Sequence, residues 1–132
     1  MIQSRRCVLD TTAILEWTLN KPKHDTIEQL LPYAVVPVSC LTESIYKTRH
    51  RNNYDIAEQL RAAGVEFEHF GISDALRAGQ LISDSLSSGH GNSLSMADGI
   101  CIAIAERLRL ALVSNDHYWE TLDINVEVHP FY

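Results

Sequence analysis

The sequence predicts a three-layer α/β/α fold built on a central, mainly parallel sheet of four to five strands. Short apolar runs alternate along the chain with segments that suit helices, which is the order expected of parallel strands joined by helical crossovers. Residues that cap helices or form turns follow most of these apolar runs. Because right-handed crossovers place helices on the faces of a parallel sheet, we expect helices on both sides of it.

Length and composition indicate one globular domain spanning residues 1–132. A chain of this length buries about two-thirds of the surface that it exposes when unfolded, which is enough for one core. Its 45% hydrophobic and 21% charged residues exclude a disordered or fibrous chain. The longest uninterrupted apolar run, Ile100–Ala105, has six residues, against the roughly 20 that a membrane span needs. We therefore expect a cytoplasmic protein that does not enter a membrane.

The cysteines Cys7, Cys40 and Cys101 are odd in number, far apart in the chain and without a CxxC pair. This pattern indicates reduced thiols rather than a disulfide framework or a zinc site. The net charge of −6 argues against binding nucleic acid through overall charge. A local basic surface is still compatible with it, since Lys47, Arg49, His50 and Arg51 form one concentrated basic cluster.

The first two predicted strands each lead into a helix. The apolar run Cys7–Leu9 ends at Asp10, and the two threonines that follow are good cap residues for the next helix. The same order recurs at Ala34–Val38, where Ser39 is suited to cap a helix that continues to about His50. These segments predict two successive strand–helix units.

The middle of the chain predicts helix, strand and helix. The segment Asn53–Ala63 suits a helix that stops at Gly64, a residue common just after helix ends. Strict alternation over Val65–Phe70 is typical of a half-buried strand. Ser73 then opens the next predicted helix.

The strongest helix signal follows Ser95, which forms an S-x-x-D capping box with Asp98. Apolar residues between positions 97 and 108 recur on one helical face and also occupy part of the opposite side, so this helix should be deeply buried. Leu110–Val113 is an apolar strand, and Val126–Val128 is expected to be a short edge strand.

Four carboxylates are expected at the carboxyl edge of this sheet, where α/β proteins bind their ligands: Asp10, Glu43, Asp98 and Asp116. Each also has a structural explanation, because Asp10 and Asp116 suit helix caps, Asp98 completes the capping box and Glu43 suits a first helical turn. Two carboxylates about 6 Å apart repel by roughly 3 kcal/mol at an effective dielectric of ~20. Four together therefore require a cation or bound protons.

Carboxylate oxygens without clustered His or Cys favour a hard ion, Mg²⁺ or Mn²⁺. Such an ion commonly keeps several waters and takes substrate phosphate as a further ligand. The chemistry that this predicts is metal-assisted hydrolysis of a phosphodiester.

Four segments, taken together, resemble the PIN-domain ribonucleases, and in size and layout the VapC toxins of toxin–antitoxin pairs. They are Val8–Leu15, Val38–Glu43, Leu94–Ala105 and Leu112–Asp116. The resemblance implies an Mg²⁺- or Mn²⁺-dependent endoribonuclease that forms a homodimer and is held inactive by a cognate antitoxin. It also implies metal-binding roles for Asp10, Glu43 and Asp98, a fourth and more variable acid at Asp116, and orienting roles for Thr12 and Ser114.

Several other residues keep two interpretations. Lys47, Arg49 and Arg51 either contact RNA beside the metal site or form a solvated helix end. The aromatic residues Trp17, Tyr118 and Trp119 either stack on bases or belong to the core or to a dimer contact. Gly99 stands where the family usually has Ala, and close packing is the only explanation that the sequence offers.

Two alternative functions remain open at this point. A receiver domain of a response regulator has a similar length and an acidic Mg²⁺ pocket, but it needs adjacent acids after the first strand and a late Lys. Here two threonines follow Asp10, and no Lys follows Lys47. The second alternative is a PIN-domain protein that acts in RNA processing or as an inactive scaffold, without an antitoxin.

Overall fold

A five-stranded parallel sheet forms the centre of the computed structural model, which describes residues 6–51, 55–88 and 93–132. The strands are β1 (Cys7–Leu9), β2 (Ala34–Pro37), β3 (Glu66–Glu68), β4 (Ala111–Val113) and β5 (Val128–His129). They lie in the order β3-β2-β1-β4-β5, and every neighbouring pair is parallel. The predicted fold class is confirmed, with the larger of the two expected strand numbers.

Within the described residues, six α-helices connect the strands: α1 (Thr11–Thr18), α2 (His24–Leu30), α3 (Val38–Lys47), α4 (Ile56–Ala62), α5 (Ile72–Ser87) and α6 (Met96–Leu108). The chain steps from β1 to β2 to β3 in one direction and then crosses back to β4. Right-handed crossovers on a sheet whose chain reverses its direction place helices on both faces, which gives three layers. The order differs from the 2-1-3-4-5 order of receiver domains, which excludes that alternative.

The core surrounds the central strand and the buried helix α6. Cys7, Val8 and Leu9 of β1 are completely buried. Helix α6 contacts β1, β2 and β4, and also packs on α3 and α5. Its residues 99–105 are all buried, as the apolar pattern predicts. Since Ser95 is the N-cap of α6 and Asp98 lies in its first turn, the packing of this helix fixes where the two residues lie.

Close packing of α5 on α6 accounts for Gly99. A Cβ atom at this position would lie 2.9 Å from both Cγ1 and Cδ1 of Ile82 and 3.2 Å from the carbonyl oxygen of Ala78. These distances are shorter than ordinary carbon contacts. A side chain at Gly99 therefore requires Ile82 to move.

Two predictions around α3 are wrong. The helix begins at Val38 and has Pro37 at its N-cap, because proline fixes a backbone angle that suits a helix start. Ser39 therefore lies inside the first turn, and its buried hydroxyl has no hydrogen-bond partner among the described residues. The helix ends at Lys47, and the chain continues into a separate 3-10 turn, Arg49–Arg51, instead of extending to His50.

Other boundaries shift by a few residues. Helix α2 was not predicted, since only Ile27 and Leu30 of its seven residues are buried and they make a weak pattern. Helix α4 is described from Ile56, and the predicted start at Asn53 lies outside the described residues. The helix ends at Ala62, and Gly64, two residues later, has the positive φ of 102° that is expected just after a helix end.

The last shifts concern the sheet edges and α5. Strand β3 is an edge strand of three residues, shorter than Val65–Phe70. Helix α5 begins at Ile72, one residue before Ser73, and the Asp74 carboxylate accepts the amide of Gly71 at 3.0 Å. Strand β5 begins at Val128 instead of Val126. No helix in the three described segments has the length and apolar character of a membrane span.

Candidate functional site

Asp10 lies where β1 ends and is the N-cap residue of α1. Its side chain is buried, and its Oδ1 accepts hydrogen bonds from the Ala13 amide at 3.0 Å and the Thr12 hydroxyl at 2.7 Å. Its Oδ2 accepts one from the Ser114 hydroxyl at 2.6 Å. Three donors therefore fix this carboxylate, and the cap explanation of Asp10 is confirmed without excluding a second role.

Thr12 and Ser114 connect the end of β1 to the end of β4. The Thr12 hydroxyl also accepts the amide of Asn115 at 3.0 Å, and the Ser114 hydroxyl accepts the amide of Asp116 at 3.1 Å. Each hydroxyl thus donates to Asp10 and accepts from the loop after β4. These are the contacts that a carboxylate-orienting role requires.

The pKa of Asp10 is raised from 3.8 to about 6, and burial is the largest cause. Hydrogen bonds from Ser114, Thr12 and Ala13 lower the pKa, and the negative charge of Asp98 raises it further. The donors thus offset only part of the cost of removing this carboxylate from water. A nearby cation would stabilise its charged form.

Asp98 combines the capping role with proximity to the other acids. Its amide donates to the Ser95 hydroxyl at 3.1 Å, and its Oδ2 accepts the Ser95 amide at 3.0 Å. Burial raises its pKa, the Ser95 bonds lower it, and the charges of Glu43 and Asp116 raise it. The capping box is therefore confirmed, and it fixes the direction in which Asp98 points.

Glu43 is the sixth residue of α3, so the interpretation as a first-turn acid is wrong. The favourable interaction of an acidic side chain with the positive end of a helix dipole is confined to the first turn, so it does not explain the position of Glu43. Its side chain is largely buried, and its Oε2 lies 3.8 Å from Nζ of Lys47. What distinguishes Glu43 is its electrostatic interaction with Asp98.

Asp116 caps the 3-10 turn His117–Thr121 that follows β4. Its Oδ1 accepts the amide of Tyr118 at 3.1 Å, which confirms the cap explanation. The Ser114 hydroxyl holds its backbone, and its charge acts on Asp98. Asp116 therefore belongs to the same edge of the sheet.

The four acids form a chain of electrostatic interactions with Asp98 at its centre. Asp98 acts on the pKa of Asp10, and both Glu43 and Asp116 act on the pKa of Asp98. Among the residues that the structure describes, no three His, Cys, Asp or Glu side chains are arranged as a ready-made metal cage. Mg²⁺ does not need one, because it is usually held by one or two carboxylates and several waters.

The donor chemistry fits a hard ion. Cys40 and Cys101 are buried beside the acids. Burial raises the pKa of the Cys101 thiol well above its ordinary value, and its contact with Cys40 raises that pKa further. Burial also raises the pKa of the Cys7 thiol to about 11. All three cysteines are free, as predicted. Neutral thiols are poor metal ligands, so carboxylate oxygens are the donors that this edge offers.

The basic cluster is divided between two elements. Lys47 lies in α3 and pairs with Glu43, whereas Arg49 and Arg51 lie in the following turn, so the expectation of one shared helix is wrong. The Arg49 guanidinium lies 4.5 Å from the centroid of the Tyr46 ring and donates to the Tyr46 carbonyl at 2.8 Å. All three basic side chains are exposed.

Two supporting residues, Tyr46 and Asn115, were not predicted, and the aromatic residues had more than one interpretation. Tyr46 supports Arg49, and its place one turn after Glu43 was the available signal. The Asn115 side chain accepts the Phe131 amide at 3.2 Å and so ties the loop after β4 to the C-terminal segment. Trp119 is buried, while Trp17 and Tyr118 pack against the core, which confirms the core interpretation.

Comparison with solved structures shows the same fold over nearly the whole chain. A toxin–antitoxin complex from Klebsiella pneumoniae has a TM-score of 0.74 at 14% identity, covering 96% of this chain and 98% of that one. DNA-bound VapBC from Salmonella typhimurium gives 0.74 at 15% identity, with 97% and 99% covered. The sarcin-ricin loop cleaving toxin VapC20 of Mycobacterium tuberculosis gives 0.68 at 18% identity, with 94% and 99% covered.

No curated protein matches this chain in sequence. A family model described as the PIN domain matches residues 7–125, a range that includes all four acids and both hydroxyl residues that hold Asp10. Together with the parallel sheet and the acidic edge, this match shows that the chain belongs to the PIN-domain family.

Proposed function

We propose that this chain is a metal-dependent endoribonuclease of the VapC type, acting as the toxin of a toxin–antitoxin pair. The observation that supports this most is the acidic edge itself. Asp98 interacts with three other carboxylates that are remote in sequence, and two of the four acids have raised pKa values. A fold keeps such repulsion where a cation relieves it.

Asp10 and Asp98 are the residues that would hold Mg²⁺ or Mn²⁺, with Glu43 and Asp116 completing the negative field. When bound, such an ion acidifies a water for in-line attack on a phosphodiester and stabilises the charge of the leaving oxygen. Thr12 and Ser114 keep Asp10 in one orientation, and Ser95 does the same for Asp98. The protein thus contributes fixed geometry.

RNA phosphates next to the cleaved bond would meet the basic side chains beside Glu43. Lys47 and Arg49 are exposed, and Tyr46 holds the Arg49 guanidinium in place. Arg51 extends the same positive surface. A local basic surface of this kind binds phosphates even though the whole chain carries a charge of −6.

The partners that we propose are RNA as substrate, a cognate antitoxin protein and a second copy of this chain. The Klebsiella and Salmonella structures with the same fold are a toxin–antitoxin complex and a VapBC complex. The acidic edge is suited to hold a cationic side chain of an inhibiting protein, because a guanidinium would relieve the same repulsion as a metal ion.

Cleavage of a structured RNA by the purified protein tests the proposal. We expect endonucleolytic products with Mg²⁺ or Mn²⁺ and none with EDTA. Asp98→Asn should abolish cleavage, while the matched control Asp25→Asn, an exposed acid on α2, should not. Cleavage that survives in a folded Asp10→Asn/Asp98→Asn variant would reject this site.

Expression in bacteria separates a toxin from an RNA-processing enzyme. A toxin should arrest growth, and Asp98→Asn should relieve the arrest. Cleavage of RNA in vitro without growth arrest would instead favour the processing role. Mapping of RNA ends after controlled induction, wild type against Asp98→Asn, would identify the substrate.

A further inference from the structure

A large aromatic ring, that of Tyr46, stands beside the acidic edge and is 62% exposed. Tyr46 lies on α3 three residues after Glu43, and residues three or four positions apart are neighbours on a helix surface. Cys40 and Ser44 form the buried side of this helix. Tyr46 therefore stands on the exposed side, one helical turn, about 5.4 Å along the axis, after an acid that interacts with Asp98.

The Arg49 guanidinium holds one face of this ring. It lies 4.5 Å from the centroid of the Tyr46 ring and donates to the Tyr46 carbonyl at 2.8 Å. A cation is attracted to the electron-rich face of an aromatic ring. A ring covered on both faces would not be 62% exposed, so the opposite face of Tyr46 is open to a ligand.

Packing inside the protein does not account for Tyr46. Among the described residues, Trp17 and Tyr118 pack against the core, whereas Tyr46 belongs neither to the core nor to the hydrophobic side chains packed on it. Single exposed hydrophobic residues are common on protein surfaces. What distinguishes Tyr46 is its position beside the exposed cations Lys47 and Arg49, next to the acids of the site.

Tyr46 and the basic cluster together have the composition of a surface that binds single-stranded nucleic acid. Such surfaces combine cations that follow the backbone with aromatic side chains on which bases stack. Lys47, Arg49 and Arg51 supply the cations, and Tyr46 supplies a ring. Because Arg49 already restrains this ring, stacking costs little further conformational freedom.

We infer that an unpaired nucleobase of the RNA stacks on the open face of Tyr46, while Lys47, Arg49 and Arg51 contact the neighbouring phosphates. The inference rests on the proposed function and adds a contact with a base to a site whose other contacts are with phosphates and metal. Every base has a face that can stack, so Tyr46 is expected to accept any base. The base must be unpaired, because the faces of a paired base are covered by its neighbours in the helix.

Comparing two strands of equal charge tests this contact. The strands are oligouridylate and a ribose-phosphate strand of the same length without bases, and the protein is the inactive Asp98→Asn variant, which leaves the RNA intact. With Tyr46 in place, we expect oligouridylate to bind roughly fivefold or more tightly than the abasic strand, which is the effect of stacking one base. Tyr46→Leu should remove that preference, whereas Tyr46→Phe should retain it.

Two controls separate stacking from charge and from general damage to the protein. Tyr46→Leu should keep the salt dependence of the Asp98→Asn protein, because the backbone carbonyl that binds Arg49 remains. Tyr33→Leu removes an exposed aromatic ring just before β2, at the opposite edge of the sheet, and should leave the preference for oligouridylate unchanged.

Fluorescence gives an independent readout of the same contact. Tyr46→Trp places an indole at the proposed stacking position, so oligouridylate should quench its emission and the abasic strand should not. Tyr33→Trp carries the same two native tryptophans, Trp17 and Trp119, and should show no such difference between the strands.

The outcomes distinguish the stacking contact from the proposed function. An unchanged preference in Tyr46→Leu, or equal binding of the two strands by Asp98→Asn, would overturn the inference even if the wild type cleaves RNA with Mg²⁺. A wild type that cleaves no RNA would refute the proposed function, while a strand preference that depends on Tyr46 would still identify a contact with a base.

Discussion

The Ser114 hydroxyl donates a 2.6 Å hydrogen bond to Oδ2 of Asp10, although the two residues are 104 positions apart in the chain. The contact joins the carboxyl ends of the neighbouring strands β4 and β1. A buried carboxylate depends on such donors, because even with them in place its pKa is raised to about 6, mainly by burial. Ser114 is therefore expected to position Asp10 for metal binding.

Removing this hydroxyl should weaken metal binding without unfolding the protein. Ser114→Ala takes a donor from Asp10 and should cost roughly 10- to 100-fold in metal affinity or activity. It should also move the acidic limb of the pH–rate profile to higher pH, because a donor to the charged form is lost. Ser114→Thr keeps the hydroxyl and should retain most of the activity. Equal behaviour of the two variants would contradict the positioning role.

The metal-free protein should become less stable as the pH rises from 4 to 6. Between pH 3.8 and about 6, Asp10 carries a proton in the folded protein but not in the unfolded chain. Stability rises with pH only where the unfolded state binds more protons, so here the free energy of unfolding falls, by about 3 kcal/mol for two pKa units.

Urea unfolding in EDTA measures this effect. Asp74 and Glu106 have lowered pKa values because of Arg107 and Arg77 and give the opposite slope at low pH, so the wild type is compared with Asp10→Asn at each pH. The variant should lose less stability than the wild type between pH 4 and 6, and the raised pKa of Asp98 accounts for the loss that remains. Parallel curves for the two proteins would show that Asp10 is not protonated in this range.

The contact between α5 and α6 should tolerate little added volume at Gly99. Gly99→Val places atoms against Ile82 and the Ala78 carbonyl and should lower the free energy of unfolding by about 1–3 kcal/mol. Shortening the neighbour in the double variant Gly99→Val/Ile82→Ala should recover part of this loss, a coupling that a double-mutant cycle detects. Strict additivity of the two changes would place the clash elsewhere.

Arg49 should contribute to RNA affinity through phosphate contact. In an inactive Asp98→Asn background, Arg49→Ala should weaken binding and lower the slope of log affinity against log salt by about one. Arg61→Ala is the matched control, since Arg61 is an exposed arginine on α4 that also lies over an aromatic ring, Phe67. An unchanged salt slope for Arg49→Ala would show that the basic cluster is a solvated surface that does not contact RNA phosphates.

Local sequence patterns were sufficient to predict the main elements that position the site. Helix α6 begins at Met96 after the predicted cap Ser95, because the capping box and the apolar faces agree on one structure. Helix α2 was missed because two buried residues, Ile27 and Leu30, make only a weak pattern. The first turn of α3 was misread because Pro37 allows a helix to begin one residue before Ser39.

The hydrogen bonds between side chains of the site could not be predicted from the sequence. The positions of Asp10 and Ser114 at strand ends indicated a shared edge, but not that a hydroxyl of one strand would donate to the carboxylate of the other. Likewise, Asp98 looked like either a cap or a site residue, and the structure shows that the hydrogen bonds of the cap aim the carboxylate. Tertiary packing decides such geometry.

Thermal unfolding with added Mg²⁺ or Mn²⁺ tests most directly whether the acids share a divalent ion. An ion that binds only the folded protein adds about 2.7 kcal/mol at 100 times its Kd, so the wild type should gain several degrees in Tm at millimolar metal, as should Asp25→Asn. Asp98→Asn should start from a higher Tm without metal, because repulsion is relieved, and should gain nothing when metal is added. A wild type that does not respond to either ion, or an Asp98→Asn variant that responds equally, would contradict the account.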